Sequence, residues 1–415
     1  MTMREIQRLG DEGATGGADP SIQRESRVLW SLLPILLLAV IMFKAAWLGD
    51  DAFITFRTVD NFLHGYGLTW NTNDHVQAFT HPLWMFLVAG VHWCTGELLV
   101  TVAILSIALS LAAVFLLAAG ARNRLAAFAA IAVLASSKAF IDYTSSGLET
   151  PLTYLLIAFL YAVLFREPQG RHRVLLLALA AGLLGLNRLD LIAFALFPLA
   201  LAVYRARKGG SRAVVLGTQL LAGLSPLALW LGFSLFYYGS MLPNTAYAKL
   251  ATGVPRGLLW EQGLHYLFDS ISEDAVTLSA MALAIVLSAV RRDAREFCVS
   301  AGVILYVIYV VSVGADFMSG RFLAPPAFAA AFLLSRSELN PAALTAAAVA
   351  FGTLGLTSPN PACLYSIDDK SRGVGPSGIA DERAFYYAAT GLLRHRRGQT
   401  EPDHEWARWG KEARE

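Results

Sequence analysis

Residues 30–48 read WSLLPILLLAVIMFKAAWL, and Gly49, Asp50 and Asp51 follow directly. A helix over this run would cross a membrane, because a hydrocarbon core of about 30 Å takes about 20 mostly apolar residues. The run therefore predicts a membrane helix that ends at an acidic pair. Since no small-residue cleavage site follows it, we interpret it as a retained anchor rather than a signal peptide.

Apolar runs of the same kind fill most of the chain. Of its 415 residues 56% are hydrophobic and only 15% are charged, which excludes a water-soluble domain. We predict an all-α polytopic membrane protein with about eleven spans, some of them short enough to be misplaced at their ends or to lie inside the bundle. The predicted spans are 30–48, 98–119, 125–137, 150–165, 173–187, 190–204, 213–236, 276–290, 297–313, 323–335 and 342–357.

The charge and cysteine content exclude two further classes. A net charge of +2 without a long basic stretch gives no electrostatic footprint for nucleic acid. Cys94, Cys298 and Cys363 are widely spaced, so they indicate neither a metal site nor a disulfide framework.

The distribution of basic residues orients the chain. About seventeen lysines and arginines lie in the amino-terminal tail and in alternate connections, against about six in the other connections. Because cytoplasmic loops carry the excess, we predict a disordered cytoplasmic tail over 1–29, a membrane domain over 30–357 and an extracytoplasmic segment over 358–415. That segment has an apparent helix near 381–397, and it either packs on the membrane domain or is the stump of a longer domain.

The acidic pair is the first candidate for chemistry. An ionised aspartate costs on the order of 3 kcal/mol at mid-membrane, so Asp50 and Asp51 indicate a purpose such as taking a proton from an acceptor hydroxyl. The alternative is that they only face water at a helix end. Arg57 would come near the same face after about two helical turns, where it could pair with the acids or bind a phosphate.

The other connections on the predicted extracytoplasmic side, the outer loops, repeat this combination of acids and cations. Glu149 begins a predicted helix, where it could also be a simple cap, and Arg188 and Asp190 could form only a structural bridge. We predict that the cations bind a lipid phosphate, namely Arg57, Arg188, Lys249 and Arg321. We predict that a second set binds the sugar or the acceptor, namely His81, Glu149, Asp190, Asn244 and Asp316.

Several motifs in the outer loops resemble a known family. They are Asp50-Asp51-Ala-Phe-Ile-Thr-Phe-Arg57, Asp60-Asn61-Phe, Gly65-Tyr66-Gly67-Leu, Trp70-Asn71, Val76-Gln77, Thr80-His81-Pro82-Leu-Trp84, Ser146-Gly147-Leu-Glu149, Pro243-Asn244-Thr245 with Lys249, and Asp316-Phe-Met318 with Gly320-Arg321. Together, over roughly residues 45–395, they resemble the membrane arabinofuranosyltransferases of the GT-C class.

The resemblance implies a multi-helix membrane domain with its site on the extracytoplasmic side. It also implies a polyprenyl-phosphate arabinofuranose donor, a glycan or pilin-like acceptor, and a catalytic Asp in the first outer loop, here Asp50 or Asp51. Members of this family continue into a fuller extracytoplasmic domain than residues 358–415 provide.

The sequence thus predicts a glycosyltransferase of the bacterial plasma membrane that moves a pentose to a cell-envelope glycan or a surface protein. No metal ligand set is assigned, although Mg²⁺ or Ca²⁺ on the acidic pair stays an alternative. Two rival interpretations are a transporter or flippase of a lipid-linked glycan, which the lack of an internal repeat disfavours, and a non-catalytic envelope or flagellar scaffold.

Overall fold

The computed structural model describes residues 20–166, 170–250, 253–363, 374–375, 377–396 and 402–412, with side chains from residue 32 onward except those of 249–250. Within these ranges the chain is helical, and its one β-bridge joins Met318 and Ala380. The α-helices are α1 (Pro20–Ala45), α2 (Asp50–Leu63), α3 (Pro82–Thr95), α4 (Leu99–Gly120), α5 (Arg124–Ser136), α6 (Lys138–Asp142), α7 (Thr150–Phe165), α8 (Arg173–Asn187), α9 (Ile192–Lys208), α10 (Ala213–Tyr238), α11 (Asn244–Leu250), α12 (Arg256–Glu273), α13 (Ala275–Arg291), α14 (Ala294–Ser312), α15 (Ala324–Ser335), α16 (Pro341–Thr357), α17 (Glu382–Thr390) and α18 (Glu405–Glu412). Short 3₁₀ turns precede α9 and α15 and follow α17, at Leu189–Leu191, Arg321–Leu323 and Leu392–Arg394.

The helices support a polytopic membrane protein but not a count of eleven spans. Each predicted span falls on a helix, yet only four helical stretches in the described ranges are long and apolar enough to cross: Leu99–Gly120, Leu189–Lys208, Ala213–Tyr238 and Ala294–Ser312. Two bent pairs raise the number to six. Helices such as α5 and α15, with 13 and 12 residues, are too short for a straight crossing.

The first bent pair positions the acidic residues. Residues 32–45 of α1 and helix α2 meet at 86°, so Asp50 and Asp51 begin a second helix rather than end the first. Helix α1 itself begins at Pro20, inside the segment expected to be disordered, and residues 1–19 lie outside the described ranges. At the break, Gly49 N–H donates to Ser146 O over 2.9 Å, so a neighbouring segment satisfies freed backbone groups.

Helix α15 is the centre of the bundle. All 12 of its residues are buried, and it packs against α5, α7, α13 and α14. Five of the twelve residues are alanines, which allow close approach of neighbouring helices in a membrane protein. The 3₁₀ turn that carries Arg321 leads directly into this buried helix, so the position of that residue is fixed by the core.

Several basic connections meet at one end of the bundle. Arg122 N–H donates to Ser335 O over 2.9 Å, and Arg336 Nη1 donates to Gly120 O over 2.7 Å. Arg291 Nη1 in turn donates to the carbonyl of Arg336. Loops that share a predicted cytoplasmic side therefore lie together in the structure.

The carboxy-terminal segment packs on the membrane domain. Leu392 N–H donates to Ala46 O over 2.9 Å, and Tyr387 O–H donates to Lys44 O over 2.6 Å. The Arg383 side chain, 1% exposed, donates to Asp142 at 2.7 Å. Helix α17 is thereby held against the break between α1 and α2.

Candidate active site

Asp50 and Asp51 occupy the first turn of α2, where the helix dipole favours negative charge. Successive residues of a helix point about 100° apart, so the two carboxylates face different neighbours. Asp51 Oδ2 lies 3.0 Å from Arg321 Nη1, whereas Asp50 Oδ2 accepts a 3.0 Å hydrogen bond from Tyr386 O–H. The acidic pair therefore joins two separate parts of the structure.

Asp51 lines a cavity of about 310 Å³ between the bent pair and the central helices. Arg188, Asp190, Asp316 and Arg321 line the same cavity. The remaining wall is largely apolar and aromatic and includes Ile54, Phe79, Leu148, Leu189, Tyr309, Val313, Phe317 and Phe322. The structure thus brings five charged residues, predicted from separate loops, to one pocket.

The segment that carries Glu149 reaches the site through a close backbone approach. Gly147 has φ +79°, and a Cβ there would lie 2.7 Å from Ala52 Cβ. Only glycine takes this conformation without strain and lets the segment lie against α2. Trp84 Nε1 donates to Gly147 O over 2.9 Å and fixes the turn from the other side.

Arg188 links two carboxylates at the back of the cavity. Its Nη1 lies 2.9 Å from Glu149 Oε1, and its Nη2 lies 2.5 Å from Asp190 Oδ2. Burial acts to raise the pKa of Glu149, but the Arg188 charge and its neighbours outweigh burial and lower that pKa. Glu149 is therefore held ionised although its side chain is only 1% exposed.

His81 connects Glu149 to a threonine of α2. Its Nδ1 lies 3.3 Å from Glu149 Oε2, and its Nε2 lies 2.7 Å from Thr55 Oγ1. Burial lowers the pKa of His81 to about 4, so the ring is neutral at physiological pH. Thr80 Oγ1 also lies within hydrogen-bond distance of Nδ1, at 3.2 Å, and the direction of both threonine bonds depends on which ring nitrogen carries the proton.

The charge balance of this site is negative. Arg321 Nη1 lies 3.0 Å from Asp51 and 3.3 Å from Asp316, so it is shared between them. At full ionisation, four carboxylates face two guanidiniums, which leaves two net negative charges. The carboxylates are Asp51, Glu149, Asp190 and Asp316, and the guanidiniums are Arg188 and Arg321.

Sequence reasoning missed two residues of α17 that face the acidic pair. Tyr386 donates to Asp50, and Glu382 lies 7% exposed with an Oε2 that has no hydrogen-bond partner among the described residues. Burial is the main cause that raises the pKa of Glu382 to about 8, and the negative charges of nearby acids, chiefly Asp50 and Asp51, add to it. Residues 358–415 show no apolar run, so no sequence signal indicated where this helix docks.

A second buried network anchors α17. Lys138 contacts both Asp142 and Asp381, and Arg383 donates to Asp142 Oδ1 over 2.7 Å. Burial acts to raise the pKa of Asp381, but the flanking charges, of which Lys138 is the strongest, outweigh burial and leave that pKa below its usual value. These paired charges lie beside the candidate site and fix the helix that brings Tyr386 to it.

Three predicted residues stand apart from these contacts. Arg57 lies on the exposed side of α2, where its Nε donates to Trp70 O over 2.8 Å and its guanidinium lies 4.2 Å from the Trp70 ring centroid. The backbone N–H of Asn244 donates to Gln77 O at the cavity rim, beside the lining residue Thr245. The side chain of Lys249 lies outside the described residues.

The acidic pair does not fit a divalent cation in this arrangement. Within the described ranges, no three His, Cys, Asp or Glu side chains are grouped to hold a metal ion. Asp51 instead contacts Arg321, and Asp50 accepts from Tyr386.

Comparison with known proteins gives two relatives of one kind. The terminal beta-(1->2)-arabinofuranosyltransferase of Mycobacterium tuberculosis is 27% identical in an alignment 410 residues long. The alignment covers 84% of this chain and 64% of the relative. The protein of the same name from Corynebacterium glutamicum is 27% identical in an alignment 339 residues long, which covers 71% of this chain and 48% of the relative. No family model and no solved structure matches the chain.

The chain thus spans less than two thirds of the length of either relative. Its outer-loop motifs predicted a resemblance to membrane arabinofuranosyltransferases, and the two relatives confirm that resemblance over most of the chain. By sequence, this polytopic helical membrane protein is similar to terminal beta-(1->2)-arabinofuranosyltransferases.

Proposed function

We propose that this chain is a GT-C-type glycosyltransferase that moves D-arabinofuranose from a polyprenyl-phosphate donor to a cell-envelope glycan or a surface protein. The observation that carries the proposal is the convergence of Asp51, Asp316 and Arg321 on one cavity with an apolar wall. The two arabinofuranosyltransferase relatives support the sugar, and they give no support to a transporter or a scaffold. The excess of basic residues in the opposite connections supports a site on the extracytoplasmic side.

The reaction is a displacement at the anomeric carbon of the donor. A hydroxyl oxygen of the acceptor forms the new bond to that carbon, and the bond from the carbon to the phosphate oxygen breaks. The hydroxyl proton passes to one of the two adjacent carboxylates, Asp50 or Asp51, and polyprenyl phosphate leaves with the bonding electrons.

The negative balance of the cavity suits the sugar rather than the phosphate. Transition states of glycosyl transfer develop positive charge on the sugar ring, which nearby carboxylates stabilise. Arg188 and Arg321 hold those carboxylates in place, and Arg321 Nε, without a partner among the described residues, is a donor for a phosphate oxygen. Lys249 follows the lining residue Ala246 in α11, so the phosphate is proposed to lie towards that helix.

The test uses the purified full chain in lipid nanodiscs. Radiolabelled polyprenyl-phosphate D-arabinofuranose is incubated with arabinan oligosaccharides, and both the labelled product and the released polyprenyl phosphate are measured. We expect Asp51→Asn and Asp50→Asn to lower the rate at least a hundredfold. Asp60→Asn on the exposed side of α2 is the matched control and keeps the wild-type rate.

Two results would reject the proposal. One is the absence of any new glycosidic bond from folded wild-type protein with every acceptor tried, together with movement of the intact donor across the bilayer. The other is a wild-type rate in both aspartate variants.

A further inference from the structure

A second cavity, of about 390 Å³, lies on the other face of α2. Asp50, Phe53 and Phe56 line it, whereas Asp51, Ile54 and Thr55 line the first cavity. This division follows the helical repeat, because residues three apart share a face of a helix. The two neighbouring carboxylates therefore open into two different pockets.

The far wall of this second cavity is aromatic and comes from the carboxy-terminal segment. Tyr386 and Trp406 have ring centroids 6.1 Å apart, and His404 lies 5.0 Å from the Trp406 ring and 5.8 Å from the Tyr386 ring. Trp406 is 52% exposed, so much of its indole surface is available to a ligand. Tyr386 also donates to Asp50, which joins the aromatic wall to the acidic pair.

This combination matches a sugar ring. A furanose or pyranose presents a face of C–H groups that packs on aromatic rings and an edge of hydroxyls that needs hydrogen-bonding partners. Here the rings come from Tyr386, His404 and Trp406, and the carboxylate of Asp50 stands at one side of the cavity as an acceptor. Pockets of this kind, mostly apolar with a few polar groups that fix orientation, are typical of ligand sites.

The surroundings argue against a polyprenyl chain in this cavity. Helix α18, which carries Trp406, reads EWARWGKE, and Glu405, Arg408 and Lys411 are exposed on it. Such a helix faces water rather than lipid tails. A carboxylate at the wall would also be poorly solvated beside an alkyl chain.

We propose that this cavity, formed by the first turn of α2 with α17 and α18, binds a sugar ring of the glycan acceptor. The inference rests on the proposed function and assigns the acceptor to the Asp50 face and the donor to the Asp51 face of α2.

The test compares two tryptophans of the same helix. Trp406 lines the cavity, whereas Trp409 is 57% exposed and does not line it, so Trp409→Ala controls for loss of an exposed indole. We expect Trp406→Ala to raise the KM for a soluble arabinan oligosaccharide about fivefold, because an aromatic contact contributes about 1 kcal/mol. The KM for the donor and the kcat stay unchanged, Trp406→Phe restores most of the affinity, and Trp409→Ala behaves as wild type.

A binding measurement without turnover separates this inference from the proposed function. Oligosaccharide binding is measured by isothermal titration calorimetry in Asp51→Asn with and without Trp406→Ala. Loss of binding only in the double variant supports the sugar site even if wild-type protein shows no transfer. An acceptor KM and affinity equal to those of Trp409→Ala, or a raised KM for the donor instead, would overturn it.

Discussion

Asp51 Oδ2 lies 3.0 Å from Arg321 Nη1, although the two residues are 270 positions apart in the sequence. Asp51 lies in the first turn of α2, and Arg321 begins the 3₁₀ turn that leads into the buried helix α15. The ion pair therefore ties the bent α1–α2 pair to the centre of the bundle. Arg321 also lies 3.3 Å from Asp316, so its single charge separates two carboxylates.

We predict that Arg321→Met lowers the free energy of unfolding by about 3–5 kcal/mol, because it leaves two carboxylates without their shared cation in a largely buried site. The matched control is Arg122→Met. Arg122 Nη2 lies at the same 3.0 Å from Glu338, but both side chains are more than half exposed, so the expected loss is under about 1 kcal/mol. Urea unfolding of the purified protein in detergent, followed by tryptophan fluorescence, measures both values. Equal losses in the two variants would contradict the special role of the Asp51–Arg321 pair.

The second prediction concerns the tyrosine that donates to Asp50. Tyr386→Phe removes a 3.0 Å hydrogen bond to the carboxylate, so we expect kcat to fall about fivefold, the equivalent of a hydrogen bond of about 1 kcal/mol. Burial and the neighbouring Asp50 raise the pKa of Tyr386, so it stays a donor across the accessible pH range. The rate of transfer at saturating donor and acceptor measures the effect.

The adjacent tyrosine is its control. Tyr387 O–H donates over 2.6 Å to the backbone carbonyl of Lys44, so Tyr387→Phe removes a bond of the same kind outside the acidic pair. We expect that variant to lose stability but keep its kcat. A similar fall of kcat in both variants would indicate that each tyrosine only anchors α17.

The charged residues of the first cavity could be predicted from the sequence for a physical reason. Arg188, Asp190 and Arg321 each lie next to the end of an apolar run, and the predicted alternation of the runs places these ends on one side of the membrane. Their convergence follows once helices pack side by side. The breaks between helices, such as the one before Asp50, could not be predicted in the same way, because a short polar stretch between apolar runs fits a loop as well as a new helix.

Arg57 illustrates the limit of spacing arguments. Seven residues of helix return it close to the face of Asp50, as predicted, but about 10 Å further along the axis. At that distance its nearest partner is Trp70, whose carbonyl and ring it contacts. Glu382 and Tyr386 lay beyond prediction for a different reason, because the docking of α17 depends on tertiary pairs such as Arg383 with Asp142.

The third prediction follows from the raised pKa of Glu382. Its pKa is about 8 in the folded protein, against about 4.5 unfolded, so the folded state binds more protons between these values. The contribution of Glu382 to the free energy of unfolding therefore falls as the pH rises from about 5 to 8. Because glutamine carries no charge at any pH, Glu382→Gln removes this dependence, and its thermal midpoint should exceed that of wild type at pH 8 and approach it at pH 5.

Scanning fluorimetry at several pH values in one detergent checks this prediction. Glu338→Gln, at an exposed ion pair, is the control and should follow the wild-type pH dependence. A Glu382→Gln midpoint that falls with pH as steeply as that of wild type would mean that Glu382 is already ionised at neutral pH.

The last prediction uses two glycines with nearly the same backbone conformation. Gly147 and Gly65 have φ +79° and +82°, so alanine at either position costs about 1–2 kcal/mol of backbone strain. Only at Gly147 does the new Cβ clash, at 2.7 Å from Ala52 Cβ, whereas nothing lies within 4 Å of it at Gly65. We expect Gly147→Ala to lose a further 1–3 kcal/mol, roughly, and most of its transfer rate, because relief of the clash moves the segment that carries Glu149 away from α2. Unfolding free energies and rates of the two variants measure the difference, and equal values would show that the close approach of this segment to α2 does not position the site.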